Sequence, residues 1–114
     1  MDVVIQLGAA LICFMGQCYP ALVGDNTPVG EYEFTYYSTE TPGYGGSIVV
    51  FKENENEVWG VHTVINVPGQ NRKERLSTGT ADERKSITAG CVNVTPEVYY
   101  QLVECCLNSK VTIK

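Results

Sequence analysis

Short apolar segments, broken by glycine, proline and polar clusters, fill the first half of the chain and read as β-structure. Residues 3–6 and 10–14 are apolar runs on either side of Gly8. Met15-Gly16-Gln17 forms a tight turn between them and a returning strand at 18–23. A dense turn cluster follows at Gly24-Asp25-Asn26-Thr27-Pro28. From Glu31 to Tyr36 polar and aromatic residues alternate, which is the period of a half-buried strand. Thr41-Pro42-Gly43-Tyr44-Gly45-Gly46 is a second loop. Residues 47–51 and 57–64 flank the polar tract 52–56 and read as a hairpin or neighbouring strands.

The period changes once, near the C-terminus. Thr95 suits an N-cap, Pro96 the first helical position, and Glu97 complements the helix dipole. Val98, Tyr99, Leu102, Val103 and Cys106 then recur on one face, and Asn108 is placed to cap the end. Residues 111–113 close the chain as a last strand. Between strands and helix, residues 66–84 form a long polar, glycine-containing and basic segment that holds all three arginines, Arg72, Arg75 and Arg84. Loops of that length inside a compact domain are often functional; the plainer reading is a solvated excursion with some helix around 71–76. With no internal repeat, low-complexity tract or linker, residues 1–114 read as one domain. Its class is α+β, mainly β, with one well-signalled helix packed on a sheet or small barrel.

Composition narrows the function. The chain has 8 basic and 13 acidic residues, a net charge of -5, so it offers no electropositive footprint for nucleic acid. The longest apolar stretch, residues 7–15, is too short for the roughly 20 residues of a membrane-spanning helix. It also lacks the basic flank and small-residue cleavage site of a secretion signal and is read as part of the fold.

Five cysteines, Cys13, Cys18, Cys91, Cys105 and Cys106, stand at irregular spacings with no C-x-x-C pair. Neither a zinc site nor a thioredoxin-like redox pair is written here, and no metal is expected. Adjacent Cys105 and Cys106 are expected not to bridge each other without strain. Some thiols are then free, or one or two pairs form and one cysteine is left over. Cys13, Cys18, Cys105 and Cys106 lie in apolar strands or on the helix and read as core or structural thiols. Cys91 sits differently, after the turn-like Thr88-Ala89-Gly90, where Gly90 lets a backbone or substrate approach closely. The chain's one histidine, His62, lies on an expected strand; a lone histidine is more often structural than catalytic. A base beside a thiol makes it a nucleophile, and N–H groups around Gly90 and Cys91 suit a developing oxyanion. Spacing alone does not bring Cys91 and His62 together.

Four stretches, taken in order, carry a resemblance. They are Phe14-Met15-Gly16-Gln17 with Tyr19-Pro20 and Val23-Gly24; Thr27-Pro28-Val29-Gly30-Glu31-Tyr32; Val61-His62-Thr63; and Thr88-Ala89-Gly90-Cys91-Val92-Asn93-Val94. Together they resemble the catalytic domain of L,D-transpeptidases of the YkuD type, over nearly the whole chain. Most members carry a histidine directly before Gly-Cys, where this chain has Ala89, and the interval from His62 to Cys91 is longer than usual. A subset with an Arg-containing insertion and Cys-x-Asn-Val after the glycine is more similar.

The resemblance implies a small β-sandwich or barrel and a covalent acyl transfer on peptidoglycan stem peptides. Cys91 would be the nucleophile, His62 its base, and the N–H groups of Gly90 and Cys91 the oxyanion donors. The outcome would be a crosslink (transpeptidase) or hydrolysis (carboxypeptidase), without cofactor, in the bacterial cell envelope. Arg75, Arg84, Asn93 and Thr88 are the expected substrate-binding residues, with at least one of Arg72, Arg75 and Arg84 facing the site. Tyr32, Tyr36, Tyr44 and Trp59 are expected in the core or lining the cleft. The alternatives are an interbacterial toxin or phage-type protein using the same site, and a degenerate domain that binds peptidoglycan without catalysis. Neither the acceptor nor an oligomeric state is legible.

Overall fold

Twelve short elements alternate along a computed structural model of the chain, which describes residues 2–38 and 46–114. Strands β1 (Val3–Gln6), β2 (Leu11–Phe14), β3 (Gln17–Pro20), β4 (Gly30–Glu33) and β9 (Lys110–Ile113) form one sheet in the order β3-β2-β1-β9-β4. Strands β5 (Thr35–Ser38), β6 (Ser47–Glu53), β7 (Val58–Thr63) and β8 (Val92–Val94) form the second, in the order β5-β6-β7-β8. The sheets pack as a sandwich around Ile5, Ile12, Val49, Val61, Val92 and Ile113, all essentially inaccessible to solvent. Pairing is antiparallel except for β1 with β9 and β7 with β8. The fold is therefore mainly β with helices, as the sequence pattern implies.

Helices α1 (Arg72–Thr78) and α2 (Ala81–Arg84) occupy the long basic segment, and α3 (Pro96–Cys106) follows β8. Thr95 caps α3, its side chain accepting from Val98 N–H, and Pro96 opens the helix. The excursion is more regular than its composition suggests. Leu76 anchors α1 into the interior, and Thr80 and Glu83 close a capping box on α2. Among the described residues no helix is long and apolar enough to cross a membrane.

The structure corrects several sequence expectations. The alternating segment 31–36 is two strands, because the buried Phe34 marks a change of sheet: its N–H donates to Ser109 O at 3.2 Å while β4 pairs with β9 and β5 with β6. The alternation turns Tyr32 and Phe34 inward but fails beyond them, since β5 is exposed throughout once the backbone joins the other sheet. Four consecutive residues of β6, Ile48 to Phe51, are buried, so this stretch is covered on both faces, and its register with β7 shifts between Val50 and Lys52. Tyr32 packs half-buried on the core, whereas Tyr36 is exposed. Tyr44 and the rest of its loop up to Gly45 lie outside the described residues.

The cysteine expectation changes most. Cys13 bridges Cys18, and Cys105 bridges its neighbour Cys106. The first pair lies directly across the β2–β3 hairpin, whose turn residues Met15 and Gly16 both have positive φ. A two-residue turn of that kind makes 13 and 18 the closely approaching, non-hydrogen-bonded pair. Cys18 is exposed and Cys13 half-buried, so neither is a core thiol. The adjacent pair, expected not to bridge, does so at the end of α3, where the chain leaves helical geometry at Leu107 and a turn closes with Ser109 N–H donating to Cys106 O at 3.1 Å. Among the described residues Cys91 is the free thiol.

Candidate active site

Strand register brings the sequence's histidine and free thiol to one place. Strands β7 and β8 run parallel with Val61 opposite Val92 and His62 opposite Asn93. Side chains alternate along a strand, so Cys91, two positions before Asn93, shares the face of His62, one diagonal step away. A cavity of about 440 Å³ opens on that face, and its lining includes Trp59, His62, Arg72, Gly90, Cys91 and Asn93.

The hydrogen bonds of His62 define its protonation. Its Nδ1 lies 2.8 Å from Thr63 O; a carbonyl only accepts, so Nδ1 carries the proton and the Nε2 lone pair faces the site. Asn93 Nδ2 lies 3.3 Å from that Nε2, and Asn93 Oδ1 accepts from Arg72 Nη1 at 3.0 Å. The two contacts agree on one orientation of the amide, with oxygen on the guanidinium and nitrogen on the imidazole. Burial pushes the His62 pKa below its ordinary value; the Thr63 carbonyl opposes this, and the Arg72 charge adds to it. The ring is neutral at neutral pH and suited to accept a proton.

Cys91 Sγ is half-buried and faces the Val58 carbonyl at 3.7 Å. Burial raises its pKa, and a hydrogen bond from the Gly60 backbone lowers it by less. The thiol is therefore protonated at neutral pH and needs a base to become a nucleophile.

The turn before Cys91 is held from both sides. Thr88 Oγ1 donates to Cys91 O and accepts from Gly90 N–H at 3.2 Å. Thr27 Oγ1 donates to Gly90 O at 2.9 Å and accepts from Gly24 N–H at 3.0 Å. Two glycines are required here by close approach. A Cβ on Gly24 would overlap the Thr88 carbonyl, and one on Gly90, at φ 142°, would meet the Trp59 ring at 2.9 Å. The early Thr-Pro-x-Gly stretch thus acts at a distance, as a buttress for the turn before Cys91. The physical content of the motif is the buried hydroxyl of Thr27, which a sequence pattern alone does not reveal.

The expected substrate residues separate into two groups. Thr88, Asn93 and Trp59 line the cavity, as does Ala89. Arg75 and Arg84 are not among its described lining residues. Arg75 donates to Gln70 O and Glu83 O, at 2.7 and 2.8 Å, and knits α1 to α2. Arg84 is buried and donates to Ala10 O, Gly79 O and Ala9 O, at 3.2, 2.7 and 3.2 Å. Arg72 is the arginine that faces the site, since it opens α1 beside the cavity. Nothing in the local sequence distinguishes it from Arg75, one turn later. Among the described residues no three His, Cys, Asp or Glu side chains are grouped to hold a metal ion.

No protein-family model matches the chain, and no curated protein does. Solved structures do. An L,D-transpeptidase from Xylanimonas cellulosilytica superposes with a TM-score of 0.64 at 13% identity, over 99% of this chain and 59% of that one. One from Stackebrandtia nassauensis gives 0.61 at 17%, over 99% and 54%. A third, an L,D-transpeptidase in complex with imipenem, gives 0.60 at 13%, over 99% and 58%. The chain thus spans somewhat more than half the length of these proteins. At such identities the likeness is one of architecture, and the sandwich that carries His62 and Cys91 is the L,D-transpeptidase fold.

Proposed function

We propose that this chain is a cysteine acyl transferase of the L,D-transpeptidase kind, acting on peptidoglycan stem peptides. The observation that carries the reading is the pairing of a neutral, Nδ1-protonated His62 with the free thiol Cys91 in one cavity of this fold. Cys91 loses its proton to His62 Nε2, and the sulfur attacks the carbonyl of the L-centre of the stem's diamino acid. The tetrahedral oxyanion needs donors in the 88–91 turn. Cys91 N–H is one; Gly90 N–H is the other, once it leaves Thr88 Oγ1. Collapse breaks the bond to the terminal D-alanine, whose amine takes the proton from His62 and departs, leaving a Cys91 thioester. An amine of a second stem, or water, then attacks the thioester, passes a proton to His62 and restores the thiol. Thr88 holds the turn, and Asn93 orients the base. Arg75 and Arg84 serve the scaffold of the excursion. The substrate places the protein in the bacterial cell envelope, and two disulfides suit an oxidising compartment.

Incubation with a carbapenem, followed by intact and peptide mass spectrometry, tests the nucleophile. The adduct is expected on Cys91 and is lost in His62→Ala. An adduct elsewhere, or none, contradicts the assignment. Purified tetrapeptide stems then separate transpeptidation, read as dimers, from hydrolysis, read as D-alanine release without dimers.

A further inference from the structure

Arg72 is a cation lining the cavity whose partners among the described residues are all neutral. Its guanidinium donates to Gln70 Oε1 at 2.7 Å, Asn93 Oδ1 at 3.0 Å and, more weakly, Ile87 O at 3.4 Å. Among the described residues the ion pairs are Lys85 with Asp82 and Lys110 with Glu31, and neither involves Arg72. Glu57 lines the same cavity without pairing to it. A half-buried charge without a counter-charge is costly, and an arginine fork matches a carboxylate in bidentate fashion.

The same guanidinium also reaches the base. Asn93 Oδ1 on Arg72 forces Asn93 Nδ2 onto His62 Nε2, the atom that must accept the Cys91 proton. An Nε2–H and an amide N–H cannot share that axis, so the amide must turn before His62 can be protonated. A carboxylate on Arg72 competes for the N–H groups now held by Asn93. The freed amide can rotate and present Oδ1 to Nε2–H, and the carboxylate cancels the positive charge that opposes a protonated ring.

We propose that Arg72 receives a carboxylate of the substrate, and that its occupation releases Asn93 from His62, so that an acidic ligand arms the base. The inference rests on the assignment of Cys91 and His62 above. Arg72 is thereby both a specificity determinant and a positioning residue.

The test uses a lysine-containing stem tetrapeptide, whose free carboxylates are those of the terminal D-alanine and the D-glutamate α-carbon, and its two singly amidated forms, which together identify the carboxylate read. Turnover is measured on the full chain, and binding on Cys91→Ser by calorimetry. Relative to the parent peptide, one amide is expected to lose about 10–100-fold in kcat/KM, the range of a hydrogen bond to a charged group. Part of that loss should appear in kcat. Arg72→Gln should bring the acid and amide rates together. Arg72→Lys, which keeps the charge without the fork, should retain the binding preference and lose the kcat component. Equal rates for all three peptides on the wild-type chain, or a preference that survives in Arg72→Gln, overturns the inference. A preference confined to KM overturns the link to His62. Should Arg72→Gln melt out, the amide series on the wild-type chain and Arg72→Lys decide alone. Failure of every stem form to bind or react instead overturns the proposed function on which the inference rests.

Discussion

Single side chains set the chemistry of this site through burial and backbone partners. His62 is kept neutral by its burial, and its tautomer is held by the Thr63 carbonyl. Because its folded pKa lies below the unfolded value of about 6.5, the unfolded chain binds more protons in that window. Stability should therefore fall as pH drops below roughly 6.5 and level off once the folded ring is also protonated. Melting curves of the wild type and His62→Gln across pH 4–8, an interval of about four units around that value, check this. The acid-side loss should be shallower in the variant; parallel curves would contradict it. Under the proposed mechanism activity follows the same sign: neutral His62 persists to lower pH than an ordinary histidine, while burial keeps the Cys91 thiol protonated at neutral pH.

Between elements, the decisive connections run through loops. The Thr27 hydroxyl spans Gly24 N–H and Gly90 O, fastening the segment after β3 to the turn before β8. Thr27→Val keeps the shape and removes both bonds, leaving two buried backbone groups unpaired at a cost of about 1–3 kcal/mol. Denaturant melts should register that loss, and carbapenem acylation of Cys91 should slow by more than the melt accounts for. A variant that acylates at the wild-type rate would show that the buttress does not position the nucleophile. At this scale the sequence was legible where the signal was local. Strand β1, the β6–β7 hairpin and the capped helix α3 fall close to where alternation, turn residues and Thr95-Pro96-Glu97 put them. The split at Phe34 was not legible, because the residue types alternate without a break from Glu31 to Tyr36 and only pairing with β9 or β6 separates the two strands.

Across the molecule, the basic excursion is tied to the far sheet by one buried arginine. Arg84 donates from α2 to the carbonyls of Ala9 and Ala10, at the turn between β1 and β2, and to Gly79. Arg84→Met removes these donors and should cost about 3 kcal/mol. Arg75→Gln, whose bonds stay within the excursion, should cost less, near 1 kcal/mol. Chemical denaturation of the two variants gives the ranking, and a reversed order would refute the role assigned to Arg84.

The amino-acid sequence alone determined the class of the fold, the site of its best helix, and a short set of reactive groups, Cys91 and His62 among them. Those follow from periodicity, capping and residue type, which act over a few positions. Tertiary structure decided which of three similar arginines lines the cavity, which cysteines pair, and that Thr27 braces the turn before Cys91. The reason is that these outcomes depend on parallel pairing of β7 with β8 and on contacts across more than sixty positions, such as Thr27 to Gly90. No local pattern encodes a distance of that kind. It exists only once the two sheets have packed and the excursion has been pinned between them.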